Sequence, residues 1–88
     1  MDFRWNEWNT HHVAVHGVTP HEAEDVVRQA RRPWPLHRGD DKWLVWGPGL
    51  GDRFLQVVFV IDEDDSIYII HARPLTRREK KRYRRGQE

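Results

Sequence analysis

Near the end of the chain a histidine and an arginine stand two residues apart, in Ile69-Ile70-His71-Ala72-Arg73, and a block of cations follows in Thr76-Arg77-Arg78-Glu79-Lys80-Lys81-Arg82-Tyr83-Arg84-Arg85. Breaking an RNA backbone without a metal needs a base for the 2′-hydroxyl proton, cations for the charge that builds at phosphorus, and an acid for the leaving oxygen. An imidazole titrates near ~6.5, which suits His71 to moving protons at neutral pH. Arg73 can grip a phosphate through two parallel N–H bonds, and Arg77 can add a second cation. His71, Arg73, Arg77 and Glu79 are therefore the candidate catalytic residues. Arg78, Lys80, Lys81, Arg84 and Arg85 are candidate RNA-binding residues by charge. Trp34, flanked by Pro33 and Pro35, is the candidate platform for a stacked base. Plainer roles compete for each. Arg73 can pair with Glu79 or with the acids of Asp62-Glu63-Asp64-Asp65, His71 can be a half-buried strand residue, Glu79 can serve only as a helix cap, and Trp34 can anchor its loop.

The net charge of +1 conceals a strong asymmetry. Residues 1–65 carry 7 basic and 12 acidic side chains, whereas residues 66–88 carry 8 and 2. Such a chain suits a polyanion at its C-terminal end. With 88 residues it holds one domain, spanning 1–88. The absence of cysteine removes disulfides and thiolate metal sites. His12 and His16 have the i, i+4 spacing of a metal pair, with His11 adjacent, but no third ligand is spaced to complete it, so neither metal nor other cofactor is expected. Gly47-Pro48-Gly49-Leu50-Gly51 lacks the Lys-Ser/Thr of a phosphate loop and reads as a turn. No run approaches the ~18 apolar residues of a membrane span, and no leader core opens the chain, so a cytoplasmic location without membrane contact is expected.

Several elements must position these residues. Phe3-Arg4-Trp5 reads as a short strand, and Asn6 as the N-cap of a helix over roughly 7–16 that presents Trp8, His12 and Val15 along one line and stops at Gly17. Thr19, Pro20 and Glu22 open a second helix whose stripe is Ala23, Val26, Val27 and Ala30, with Glu22 among the outward residues and Pro33 at the end. Residues 32–41 show no period and read as loop. Strands are expected at 42–46, 53–61 and 66–73, the last two joined by the acidic turn. Strict alternation on the last strand puts Ile67, Ile69, His71 and Arg73 on one face. Thr76 and Glu79 have capping-box spacing, so a basic helix begins there. The expected fold is α+β: a small antiparallel sheet, made of a short N-terminal strand and a three-stranded meander, with two N-terminal helices packed on it and a C-terminal basic helix.

Taken in order, Trp5-Asn6, Asn9, His16-Gly17-Val18, Glu22-Ala23, Ile69-Ile70-His71-Ala72-Arg73, Thr76-Arg77-Arg78-Glu79 and Tyr83 resemble the BrnT toxins of bacterial type II toxin–antitoxin systems over nearly the whole chain. The resemblance implies a RelE-like ribonuclease fold, translation inhibition by RNA cleavage, and a hetero-oligomer with a cognate antitoxin. That antitoxin would carry a ribbon-helix-helix part, through which alone operator DNA is reached. Arg73 matches the family's functional arginine, Glu79 and Tyr83 match its C-terminal helix signature, and His16-Gly17 matches a structural corner. The chain departs from the pattern in having His71 where serine is usual. It also has Val60, Ile61 and then acids where a basic residue is common. Two readings follow: a metal-independent endoribonuclease, or an interaction protein of the same fold that binds antitoxin or nucleic acid without cutting.

Overall fold

A computed structural model describes residues 1–87. The elements are β1 (Phe3–Arg4), α1 (Glu7–Ala14), α2 (Pro20–Arg28), β2 (Leu36–His37), β3 (Lys42–Pro48), β4 (Phe54–Ile61), β5 (Ile67–Pro74) and α3 (Arg77–Gln87). One five-stranded sheet forms in the order β1-β5-β4-β3-β2. The class is α+β as expected, but the sheet is mixed and not antiparallel. β1 runs parallel to β5, with Phe3 opposite Ile67 and Arg4 opposite Tyr68. Between β1 and β5 lie α1, α2 and the antiparallel strands β2, β3 and β4, a connection long enough for the two to pair in the same direction, whereas a tight turn would force reversal. The segment at 32–41, expected as loop, contributes β2, which pairs with β3 through Leu36 and His37. Two residues are too few to leave a period in the sequence.

Local chemistry sets the helix starts. Asn6 accepts from the Asn9 N–H at 3.1 Å, and the Asn9 side chain accepts from the Asn6 N–H at 2.8 Å. Thr19 accepts from the Glu22 N–H at 3.2 Å, with Pro20 at the first helical position. Gly17, with φ of 73°, takes the left-handed stop after α1. α2 ends at Arg28, short of Pro33.

Two faces differ from the sequence expectation. On α1 the inward residues are Asn9 and Val13, while Trp8 and Val15 are 50% and 65% exposed. Asn9 turns inward because it both caps the helix and donates to the Arg4 carbonyl at 3.1 Å. On α2 the stripe of Ala23, Val26 and Val27 is buried, but Glu22 lies with it at 1% exposure. Its carboxylate forms a two-point ion pair with Arg53 and accepts from the Leu50 N–H at 2.7 Å. Burial pushes the Glu22 pKa up, but the Arg53 and Leu50 hydrogen bonds outweigh it and hold the group below its ordinary value. The glycine turn thus backs a buried carboxylate. A Cβ on Gly49 would sit 2.5 Å from Glu22 Oε2.

Alternate residues of the sheet fill two cores. Val45, Leu55, Val57 and Phe59 pack with Val13, Val18, Ala23 and Val26 under α1 and α2. Leu44, Trp46, Phe54 and Val58 pack with Leu75 and Tyr83 under α3, on the opposite face. The basic helix therefore covers the side of the sheet that the first two helices leave open. No helix among the described residues is long and apolar enough to cross a membrane.

Candidate functional site

A bulge decides what β5 presents. Val58 pairs with His71 and Phe59 with Ile69, so Ile70 has no partner. The extra residue resets the alternation, and Ile67, Ile69 and Ala72 are buried together. Arg73 is aligned instead with Gln56, on the face that α3 covers. The expected single line of Ile67, Ile69, His71 and Arg73 is thereby broken, because the apolar Ile70 gives no sign that it is the residue to be skipped.

His71 keeps a chemical setting of its own. α1 packs along β5. His16, just past the end of α1, meets His71 edge to face with ring centroids 5.7 Å apart. One turn earlier His12 stacks on Trp8 at 3.7 Å, and its Nδ1 lies 2.8 Å from the Trp8 carbonyl. A carbonyl only accepts, so Nδ1 carries the proton and Nε2 is left as the open nitrogen of the neutral ring. Burial above all, then Arg73, His16 and His12, holds the His71 pKa below its ordinary 6.5. At neutral pH the ring is unprotonated and able to accept. Sequence reasoning missed His16 as its neighbour. The one signal in the sequence was the i, i+4 spacing of His12 and His16.

Arg73 is engaged elsewhere. Its Nη1 donates to Glu79 Oε1 at 2.8 Å and its Nη2 to Glu79 Oε2 at 2.9 Å. Further bonds run from Nη1 to the Pro74 carbonyl at 3.0 Å and from Nη2 to Gln56 Oε1 at 3.3 Å. Gln56 Oε1 also accepts from Trp46 Nε1 at 3.1 Å, and the register aligns Trp46, Gln56 and Arg73 across three strands. Glu79 closes the capping box as well, accepting from the Thr76 N–H at 2.9 Å while Thr76 Oγ1 accepts from the Glu79 N–H at 3.1 Å. Arg73 first, and Thr76 second, bring the Glu79 carboxyl down to about 2. Of the plainer partners foreseen for Arg73, Glu79 is the one found. Asp62, at the acidic turn, pairs with Arg4 at 2.8 Å, and the bonds from Arg4 and Ser66 hold it at about 2. A phosphate reaches the terminal nitrogens of Arg73 only by displacing Glu79, Gln56 or the Pro74 carbonyl.

The remaining candidates divide by exposure. Arg77, Arg78, Lys81, Arg84 and Arg85 are exposed and Lys80 is half-buried, and none forms an ion pair among the described residues. Trp34 is not an open platform. It is half-buried and stacks on Trp46 with centroids 5.1 Å apart. The open tryptophan is Trp8, whose ring also lies 6.3 Å from that of Tyr68, over which the Arg4 guanidinium sits at 3.9 Å. No group of three or more His, Asp or Glu among the described residues is placed to hold a metal ion. Comparison with protein-family models, with curated proteins and with solved structures returns no match.

Proposed function

We propose that the protein is a toxin of the BrnT kind, with a RelE-like fold, that cuts RNA without a metal and so stops translation in the cytoplasm. The observation that carries this reading is the His16–His71 pair, with ring centroids 5.7 Å apart and His71 held neutral by burial and by Arg73. In this reading neutral His71 takes the 2′-hydroxyl proton, the 2′-oxygen attacks phosphorus, and the bond to the 5′-oxygen breaks. His16 is the acid in this reading and supplies the proton that the 5′-oxygen takes up. Arg77, Arg78, Lys80, Lys81, Arg84 and Arg85 hold the backbone that flanks the cut. A ribbon-helix-helix antitoxin would cover this surface in a hetero-oligomer and supply the only contact with operator DNA.

Inducing the chain in a bacterial host should arrest growth, and the purified protein should fragment RNA in the presence of a chelator. His71→Ala and His16→Ala should each abolish fragmentation yet leave RNA binding in place. The closed Arg73–Glu79 pair favours a second reading, in which the same fold binds antitoxin or nucleic acid without cutting. A wild-type chain that binds RNA but leaves it whole, in a host that grows normally, would establish that second reading and end the first.

A further inference from the structure

Two cavities lie either side of Tyr83 and share it and Trp46 as walls. The larger, about 590 Å³, runs past Arg28 and Arg31 at the end of α2, and the smaller, about 200 Å³, runs past Trp34, Arg38 and Arg82. They form one groove between α3, the end of α2 and the loop before β3. Its floor is aromatic: Trp34 lies stacked on Trp46, and the Arg82 guanidinium is 5.6 Å above the Trp46 ring. Its rims are cationic. Arg28 is neutralised by Glu24 at 2.9 Å and Asp25 at 3.4 Å. Arg31, Arg38 and Arg82 are exposed and have no carboxylate partner among the described residues, and no carboxylate lines either cavity.

We infer that this groove holds single-stranded RNA, an unpaired base entering the smaller cavity beside Tyr83 and the side of the Trp34 ring turned away from Trp46, while its phosphates lie on Arg31, Arg38 and Arg82. Alternating aromatic faces and guanidinium groups are what a single strand offers partners for, since every base has a π-face and every linkage a negative charge. The smaller cavity lies below the roughly 300–1,000 Å³ of ordinary ligand pockets and suits one planar ring. A duplex keeps its bases stacked on one another and cannot reach the floor. The groove joins the site already described, because Trp46 at its floor is hydrogen-bonded through Gln56 to Arg73. The inference rests on the reading that the protein acts on RNA, but not on cleavage.

The test titrates the full chain into a fluorescein-labelled decauridylate, followed by anisotropy, and compares wild type with two surface variants. Arg38→Glu combined with Arg82→Glu should weaken binding at least about tenfold, and Arg31→Gln should lower the slope of log affinity against log salt by roughly 0.7, one single-strand phosphate contact. Both arginines of the double variant are exposed, and an unchanged circular dichroism spectrum checks its fold. Unchanged affinity in the Glu variant, alongside a loss in Lys80→Gln with Lys81→Gln, would overturn the groove and leave the RNA reading standing. No binding by wild type would remove both. Equal affinity for an RNA duplex would reduce the site to charge alone and overturn the stacking. A glutamate-rich peptide that binds in a way lost in the Glu variant, where decauridylate fails, would make the groove a protein site.

Discussion

Arg73 and Glu79 meet through two parallel bonds of 2.8 and 2.9 Å, which makes the end of β5 and the cap of α3 one unit. The pair is the only ion pair between α3 and the sheet among the described residues; Leu75 and Tyr83 supply the apolar contacts. Truncating either partner strands the other half-buried. Arg73→Ala and Glu79→Ala should each destabilise the protein by about 1–3 kcal/mol, since charged hydrogen bonds and a helix cap are lost together. The double variant should cost clearly less than the sum. Urea unfolding of the four proteins measures this, and strict additivity would mean that the pair does not act as a unit.

Acid should loosen the same joint. The Glu79 carboxyl lies at about 2 in the fold against an ordinary 4.5. Its folded value is the lower one, so its stabilisation is fully present above pH 4.5 and is lost as pH falls through about 2. Asp62, also at about 2 beside Arg4 and Ser66, adds to the loss between its ordinary 3.8 and about 2. Urea midpoints measured from pH 5 down to pH 2 should fall for wild type and fall less steeply for Glu79→Gln. Parallel curves would refute the assignment.

His71 titrates in a separate window. Because burial and the neighbouring Arg73 favour its neutral form, folding is supported above the ordinary 6.5 and loses that support as pH drops below it. The same sign applies to catalysis: a base that must be neutral puts the acid limb of the RNA-cutting profile below 6.5. NMR titration of the ring should find its midpoint below that value. Arg73→Ala should move the midpoint upward, and a midpoint that stays put would show that Arg73 does not act on the ring.

Much of the fold was legible because its cues are local. Asn6 with Asn9, Thr19 with Pro20 and Glu22, and Thr76 with Glu79 each announce a helix within four residues, and the apolar run at 54–61 announces a central strand. What was not legible depends on partners far along the chain. Glu22 looks like an outward helix residue until Arg53, 31 positions later, buries it. Ile70 looks like its neighbours until β4 passes it over. In the candidate site the Arg73–Glu79 pair was foreseeable, since both lie close in sequence around a single turn. The approach of His16 to His71 spans the domain and left no such mark.

Glu22 also offers a stability test away from any RNA. It is 1% exposed, and Arg53 with the Leu50 N–H are its partners. Glu22→Ala removes the acceptor of the Leu50 N–H and the partner of Arg53, but Arg53 is a third exposed and keeps its bond to the Gly17 carbonyl, so the cost should be about 1–3 kcal/mol. Gly49→Ala should destabilise as well, because its Cβ would meet Glu22 Oε2 at 2.5 Å and Leu55 Cγ at 3.0 Å. Thermal melts of the two variants check this. Wild-type stability in both would mean that the turn is not braced by the carboxylate.

The tryptophans should separate by position in a way the sequence does not suggest. Trp8 sits in an amphipathic-looking helix yet is 50% exposed, because Asn9 and Val13 take the inward face; Trp46 is 6% exposed between Leu44, Leu75 and Trp34. The Trp8 ring touches His12 and Tyr68 at the surface, and losing such contacts without opening a cavity should cost under about 1.5 kcal/mol. Trp46→Ala both empties a core position and frees Gln56, so about 3–5 kcal/mol is expected. Trp8→Phe should also remove the largest part of the emission that acrylamide quenches, and Trp34→Phe a smaller part, because Trp34 is half-buried at the edge of a cavity. If quenching instead disappears wholly with Trp34, that side chain is not held in its stack on Trp46.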